Sequence, residues 1–224
     1  MFKKLFGSLS GGSPPPVPTE QGPYRDPSAN FIYQLLFCDR PELFAKQEFS
    51  GEPWSVLLSP GPDFVALEKL AMDESAESRV RVLAFNRLRD AGKEVPAKIH
   101  LGTIVEVGLN EGLDVLAAFG DYGVRYINHT GHMSVVEGKT ALFEAETAAV
   151  LAASKPIVQA IGPWDQARRP PPAPGMVRLN FLVSDGLYFG EGPMDTFSRD
   201  GMAGPLIHAA SMLLQKLVEQ VSKK

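Results

Sequence analysis

The chain has one cysteine and four histidines, so thiol and soft-metal chemistry have little to draw on. Cys38 cannot form an intramolecular disulfide or a multi-cysteine metal site, which favours a reducing compartment. It sits in the apolar run Leu35-Leu36-Phe37, where a free cysteine acts as a small hydrophobe. No stretch approaches the roughly 20 apolar residues that a membrane-spanning helix needs. After Met1-Phe2-Lys3-Lys4-Leu5-Phe6 the residues Ser8, Ser10, Gly11, Gly12 and Ser13 stand where a secretory signal would carry its apolar region. Positive charge is also short. Against 26 Asp and Glu there are 22 Lys and Arg, a net charge of −4, which argues against a broad nucleic-acid surface. These shortages predict a cytoplasmic protein with no transmembrane segment and no nucleic-acid partner.

Apolar and charged residues, at 44% and 21%, occur in the proportions of a globular chain. Residues 1–26 are the exception. Gly, Ser and Pro dominate from Gly7, including Pro14-Pro15-Pro16, so this part reads as a flexible tail and linker before a single domain at 27–224. Ser28 or Asn30 is a candidate cap for a helix through Phe31 and Leu35, and Asp39 for a second one begun by Pro41 and Glu42. Trp54 to Leu58, fenced by prolines, reads as a short strand. Phe64, Leu67 and Leu70 after Asp63, and Val80, Leu83, Ala84 and Leu88 before Gly92, repeat at helical spacing. Arg79, Arg81, Arg87 and Arg89 interleave with the second stripe; they could form a basic partner-binding face, but with Glu77 and Asp90 nearby and an acidic chain they read as a solvated one.

Between Ile99 and Glu137 the period drops to two. Ile99, Leu101, Thr103, Val105, Val107 and Leu109 should share one strand face, and turns near Asn110, Gly120 and Thr130 are too short for anything but antiparallel pairing. The result is a four-stranded meander. An alanine-rich helix should run from about Ala141 to Ala153, with a new segment at Pro156. Arg168 to Pro174 reads as a surface loop, Asp185-Gly186 as a hairpin turn, and Leu206, Ala210, Leu213 and Leu217 as the stripe of a last helix. The fold class is α+β: an antiparallel sheet of meander plus later hairpin, with helices packed mainly on one face.

No catalytic motif is complete. Gly138-Lys139-Thr140 resembles the end of a phosphate loop, but Met133 stands where the first glycine belongs. There is no nucleophile elbow of the Gly-x-Ser-x-Gly kind. His129 and His132 flank a turn and are too few alone for a zinc site, and His208 should pack beside the last apolar stripe. No metal and no cofactor is predicted. The acidic, glycine-rich stretch 185–200, with Asp185, Glu191 and Asp195, is the place to look for a ligand site shared with His129 and His132. Phe2, Lys3, Lys4, Leu5 and Phe6 form a candidate docking peptide for a partner groove or, weakly, a membrane surface. The functional expectation is a non-enzymatic interaction or scaffolding protein with a protein partner. The alternative is a small-molecule binder or hydrolase using the 185–200 loop.

Overall fold

The computed structural model describes residues 22–45 and 51–221. The peptide Phe2–Phe6 and most of the linker behind it lie outside the described residues. Strands β1 (His100–Leu109), β2 (Gly112–Phe119), β3 (Val124–Ile127) and β4 (Met133–Val136) form the expected meander. β5 (Met176–Val183) pairs with the free side of β1, and β6 (Gly186–Pro193) follows it by a hairpin. One antiparallel sheet of six strands results, in the order β4-β3-β2-β1-β5-β6, within an α+β fold. The last hairpin turns one residue earlier than expected, because Val183 pairs with Gly186 across Ser184-Asp185.

Helices cover both faces. Five lie on one side: α1 (Pro27–Leu35), α2 (Pro41–Phe44), α3 (Trp54–Leu57), α4 (Phe64–Met72) and α5 (Ser78–Asp90). The two longest, α6 (Glu144–Ala160) and α8 (Ala203–Val221), pack on the other with the short α7 (Met194–Phe197). By number the described helices favour the expected one face; by length they do not. A pleated strand turns alternate residues to opposite sides, so Val115, Ala117 and Phe119 join the first core and Leu116 and Ala118 the second. In β1 the alternation breaks at its start. The register shifts between His100 and Gly102, and this irregularity sends Leu101 to the first core rather than to the face of Thr103, Val105 and Val107.

Local chemistry explains most helix ends. Asp63 caps α4 by accepting from the amides of Val65 and Ala66 at 3.0 and 3.1 Å. Asp26, not Ser28 or Asn30, caps α1. Asp39 does not cap α2: the helix opens one residue later than expected, with Arg40 in the capping position, while the Asp39 carboxylate accepts from Arg168 and that of Glu42 from Arg40. Trp54–Leu57 is a helical turn instead of a strand: with no neighbouring strand to pair with, its amides bond locally, Leu58 N to Trp54 O at 2.9 Å. Pro156 lies inside α6 rather than opening a new segment. It forfeits one backbone bond, while Ile157 and Val158 beyond it are buried against the sheet. At the end of that helix Lys98 Nζ donates to the carbonyls of Val158, Gln159 and Ile161, placing a cation where the helix dipole is negative.

Three of the four α5 arginines are not part of a solvated face, while Arg79 pairs with Glu77. Arg81 donates to Ala71 O at the end of α4, Arg87 to the carbonyls of Leu57 and Ser59 after α3, and Arg89 to Ser184 O in the β5–β6 turn. Each guanidinium satisfies carbonyls that helix and strand ends leave over.

Residues 162–175 lie largely on the surface, as expected of the loop from Arg168 to Pro174, and are tied down as a strap. Trp164 N donates to Leu187 O on β6, and Gly175 N to Gly108 O on β1. The prolines of the strap lack amides for a ladder, so Arg178 of β5 reaches up and donates to the carbonyls of Arg169 and Pro170.

Tyr24 precedes the expected domain boundary yet is only 4% exposed, with its ring edge-on to Tyr33. It exchanges backbone bonds of 2.8 and 2.7 Å with the buried Asn30 side chain. A chain starting at Pro27 lacks this aromatic and the Asp26 cap, together about 3 kcal/mol. Its melting midpoint should lie roughly 6–12 °C below that of a chain starting at Gly22. Equal midpoints would put the boundary at Pro27.

Candidate functional site

Between the strap on one side and α1, α2 and α5 on the other runs an open groove of about 640 Å³, floored by the β5–β6 hairpin. A recess of about 90 Å³ continues it between Asn86 and Arg89 of α5 and Leu187 of β6. Arg40, Arg89, Arg168 and Arg169 line the groove with Trp164, Tyr33, Pro170 and Pro171. The chain reaches this place from four separate segments, and the sheet fixes their spacing.

Each arginine is held differently. Arg168 donates to Asp39 Oδ2 at 2.9 Å and to Gln34, and its guanidinium lies 3.8 Å from the centre of the Phe37 ring. Arg89 donates to Ser184 O and to Asn86 Oδ1, both at 2.7 Å and both neutral. Arg40 pairs with the exposed Glu42. Arg169 is exposed, 6.0 Å from the Phe189 ring centre, and has no carboxylate within ion-pair distance among the described residues. The indole of Trp164 stands edge-on to Phe189 at 5.0 Å and spends its N–H on Ala167 O, so what it offers the groove is apolar.

Beneath the groove lies a buried charged row. Glu106, Arg178 and Glu191 face one another across β1, β5 and β6. Glu106 has no exposure at all; it accepts from Tyr33 Oη at 2.6 Å and Asn180 Nδ2 at 2.8 Å, with Arg178 Nη1 at 3.6 Å. Arg178 is bound more closely to Glu191, Nε to Oε2 at 2.7 Å. Burial pushes the Glu106 carboxyl above the usual carboxylate range, opposed by Tyr33, Arg178 and Asn180. Tyr33 joins the two layers, lining the groove while its hydroxyl is bonded to Glu106.

The ligand site expected from His129, His132, Asp185, Glu191 and Asp195 does not assemble. The histidines flank the turn between β3 and β4, whereas the three acids lie on or just beyond β6 at the opposite edge of the sheet. His129 instead neighbours Asp114, which accepts from its backbone amide at 2.6 Å; His132 is exposed. Asp185 works as an anchor for the hairpin tip, accepting from Lys98 N at 3.1 Å and Tyr188 Oη at 2.8 Å. Glu191 is the partner of Arg178, and Asp195 is exposed on α7. His208, expected to pack, is exposed on α8. Lys139 of the Gly-Lys-Thr segment pairs with Glu144 at 2.8 Å, after the edge strand of an antiparallel sheet. Among the described residues no three His, Cys, Asp or Glu side chains converge as metal ligands.

His100 is a further titratable group with a distinct environment. Its Nε2 lies 2.9 Å from Thr103 Oγ1 and 3.0 Å from Gly102 O, and Thr103 in turn bonds Ser154 of α6. Burial lowers its pKa from 6.5 to about 4. In that window the unfolded chain binds a proton that the folded one refuses, so stability falls as pH drops from 6.5 toward 4, by up to about 3 kcal/mol. The raised carboxyls of Glu106 and Asp114 act with the opposite sign, gaining stability as pH falls. The difference between wild type and His100→Asn isolates the histidine. Melting midpoints across this range should be less acid-sensitive in the variant, and parallel profiles would clear His100 of the effect.

Comparison with known protein families, with curated proteins and with solved structures finds no match. The groove residues carried a faint mark in the sequence: Trp164 four positions before Arg168-Arg169 in a proline-dense loop is an aromatic and cationic cluster with no core periodicity. Arg89 stood in the arginine run of α5, whose reading as a partner-binding face was set aside for a solvated one, and Arg40 carried no mark.

Proposed function

We propose that the chain is a non-enzymatic binding protein that takes hold of a protein partner through the strap groove. The convergence of Arg40, Arg89, Arg168 and Arg169 around Trp164 carries this reading. Arginine and tryptophan are the side chains that most often dominate binding energy at protein interfaces, and a concave site lets them be desolvated on contact. The groove is open to solvent, so a chain segment can enter it. Its guanidiniums bind anions without exchanging protons near neutral pH. Its two aspartates are committed, Asp39 to Arg168 and Asp185 to Lys98 and Tyr188. A reducing cytoplasmic setting agrees with the buried, solitary Cys38.

The test is affinity capture with the full chain and with Arg169→Glu. The substitution reverses an exposed charge whose side chain makes no hydrogen bond or ion pair among the described residues and lies 6.0 Å from the Phe189 ring centre, so folding should be little affected. A stoichiometric protein held by the wild type and lost by the variant is the expected result. A partner retained equally by both would place the interface elsewhere.

A further inference from the structure

We infer that the groove selects an acidic peptide segment, and that Asp39 occupies in the free protein the place of one of that segment's carboxylates. The inference rests on the groove being the binding site proposed above. The chain as a whole carries a net charge of −4, yet the groove gathers four arginines against two aspartates. That local reversal of sign attracts a short acidic segment, while the acidic remainder of the surface repels a long polyanion.

Arg168 shows how a carboxylate is received. Its guanidinium is laid on the Phe37 ring, and its Nε edge meets Asp39 Oδ2 at 2.9 Å. Stacking leaves the guanidinium edge to do the bonding, the arrangement in which arginine recognises carboxylates best. Arg89 and Arg169 have no carboxylate at ion-pair distance among the described residues, and so offer two further positions. Trp164, Pro170 and Pro171 supply apolar walls between the charges, suited to the methylene stems of glutamates.

Asp39 is therefore a competitor. A ligand carboxylate reaching Arg168 must displace it, so removing its charge should tighten binding although a salt bridge is lost. Asparagine keeps an oxygen for Arg168 Nε and preserves the geometry.

The experiment uses the full chain carrying Trp54→Phe, which leaves Trp164 as the only indole. Its emission is followed during titration with end-capped hexaglutamate, hexaserine, inorganic phosphate and single-stranded oligothymidine. Hexaglutamate should give a saturable change that weakens with added salt. Arg169→Glu should weaken it roughly tenfold, and Asp39→Asn should tighten it roughly threefold, within the range of partly exposed charge pairs. Failure of hexaglutamate, or binding of phosphate or oligothymidine at least as tight, would overturn the acidic-peptide class. Weaker binding by Asp39→Asn would overturn the role of Asp39. If hexaglutamate fails while partner capture still depends on Arg169, the ligand class falls and the groove stands; if capture ignores Arg169, the groove itself falls.

Discussion

Arg178→Met should lower stability by about 3–5 kcal/mol and the melting midpoint by roughly 10 °C or more. The cost does not come from losing a favourable ion pair. A buried pair replaced whole by apolar groups is often neutral, because desolvation cancels most of the attraction. It comes from what the single change leaves behind. Glu106, with no exposure, would keep Tyr33, Asn180 and the field of Arg168 but lose the Arg178 cation at 3.6 Å, and Glu191 would face it along the same row. The carbonyls of Arg169 and Pro170 would lose their donor as well. Two measurements separate these causes. Burial already raises the Glu106 carboxyl, and losing Arg178 should raise it further, so the folded state of the variant gains a proton as pH falls. Its deficit against wild type should therefore shrink toward low pH and grow toward high pH. In Arg178→Met with Glu106→Gln the orphaned charge is gone, and the double variant should be more stable than the single one, a coupling of about 1–3 kcal/mol. A double variant as unstable as the sum of its parts would assign the loss to the strap carbonyls instead.

The sheet was legible in the sequence because its cause is local. Alternation through Val115, Ala117 and Phe119 together with turns too short for a crossover leaves antiparallel pairing as the only solution, and Asp63 announces α4 by a cap made with its own next residues. Where a partner from far along the chain decides, the reading failed. Asp39 reads in the sequence as the cap of α2, but Arg40 holds that position, and the Asp39 carboxylate accepts from Arg168, distant in sequence. The α5 arginines look solvent-facing until α3, α4 and the β5–β6 turn bring their carbonyls. Asp185 and Glu191 were singled out as ligand residues for being acidic in a glycine-rich stretch. Their acidity serves the hairpin tip and the buried row. The groove was the least legible part, since Arg40, Arg89 and Arg168 share no periodicity and meet only after the sheet has formed.

Gly108→Ala should disable the groove from outside it. Gly108 sits near the end of β1, and a methyl group there would stand 2.2 Å from Ala173 O and 2.5 Å from Pro172 O. Both are backbone atoms, so no rotamer change relieves the clash; the strap must lift by more than an ångström or β1 must bend. β1 is paired on both sides, to β2 and β5, and is the stiffer of the two. The strap should therefore yield, breaking the bond from Gly175 N to Gly108 O and pulling the Arg169 and Pro170 carbonyls off Arg178. Overpacking of this kind costs about 1–3 kcal/mol, and the lost bonds bring the total to roughly 4 kcal/mol, or 8 °C or more in midpoint. Gly162 in the same strap is the control, because an added methyl there meets nothing within 4 Å. Gly162→Ala should change the midpoint by no more than about 2 °C. Amide exchange of residues 162–175 should accelerate in Gly108→Ala while that of β2 and β3 stays slow, since only the strap has been lifted. The same variant should lose the response of Trp164 to hexaglutamate although no groove residue has been touched. Normal exchange and normal binding in Gly108→Ala would mean that β1 gives way, and that the strap keeps its bonds to Arg178, Leu187, Asp39 and Gln34 without Gly108.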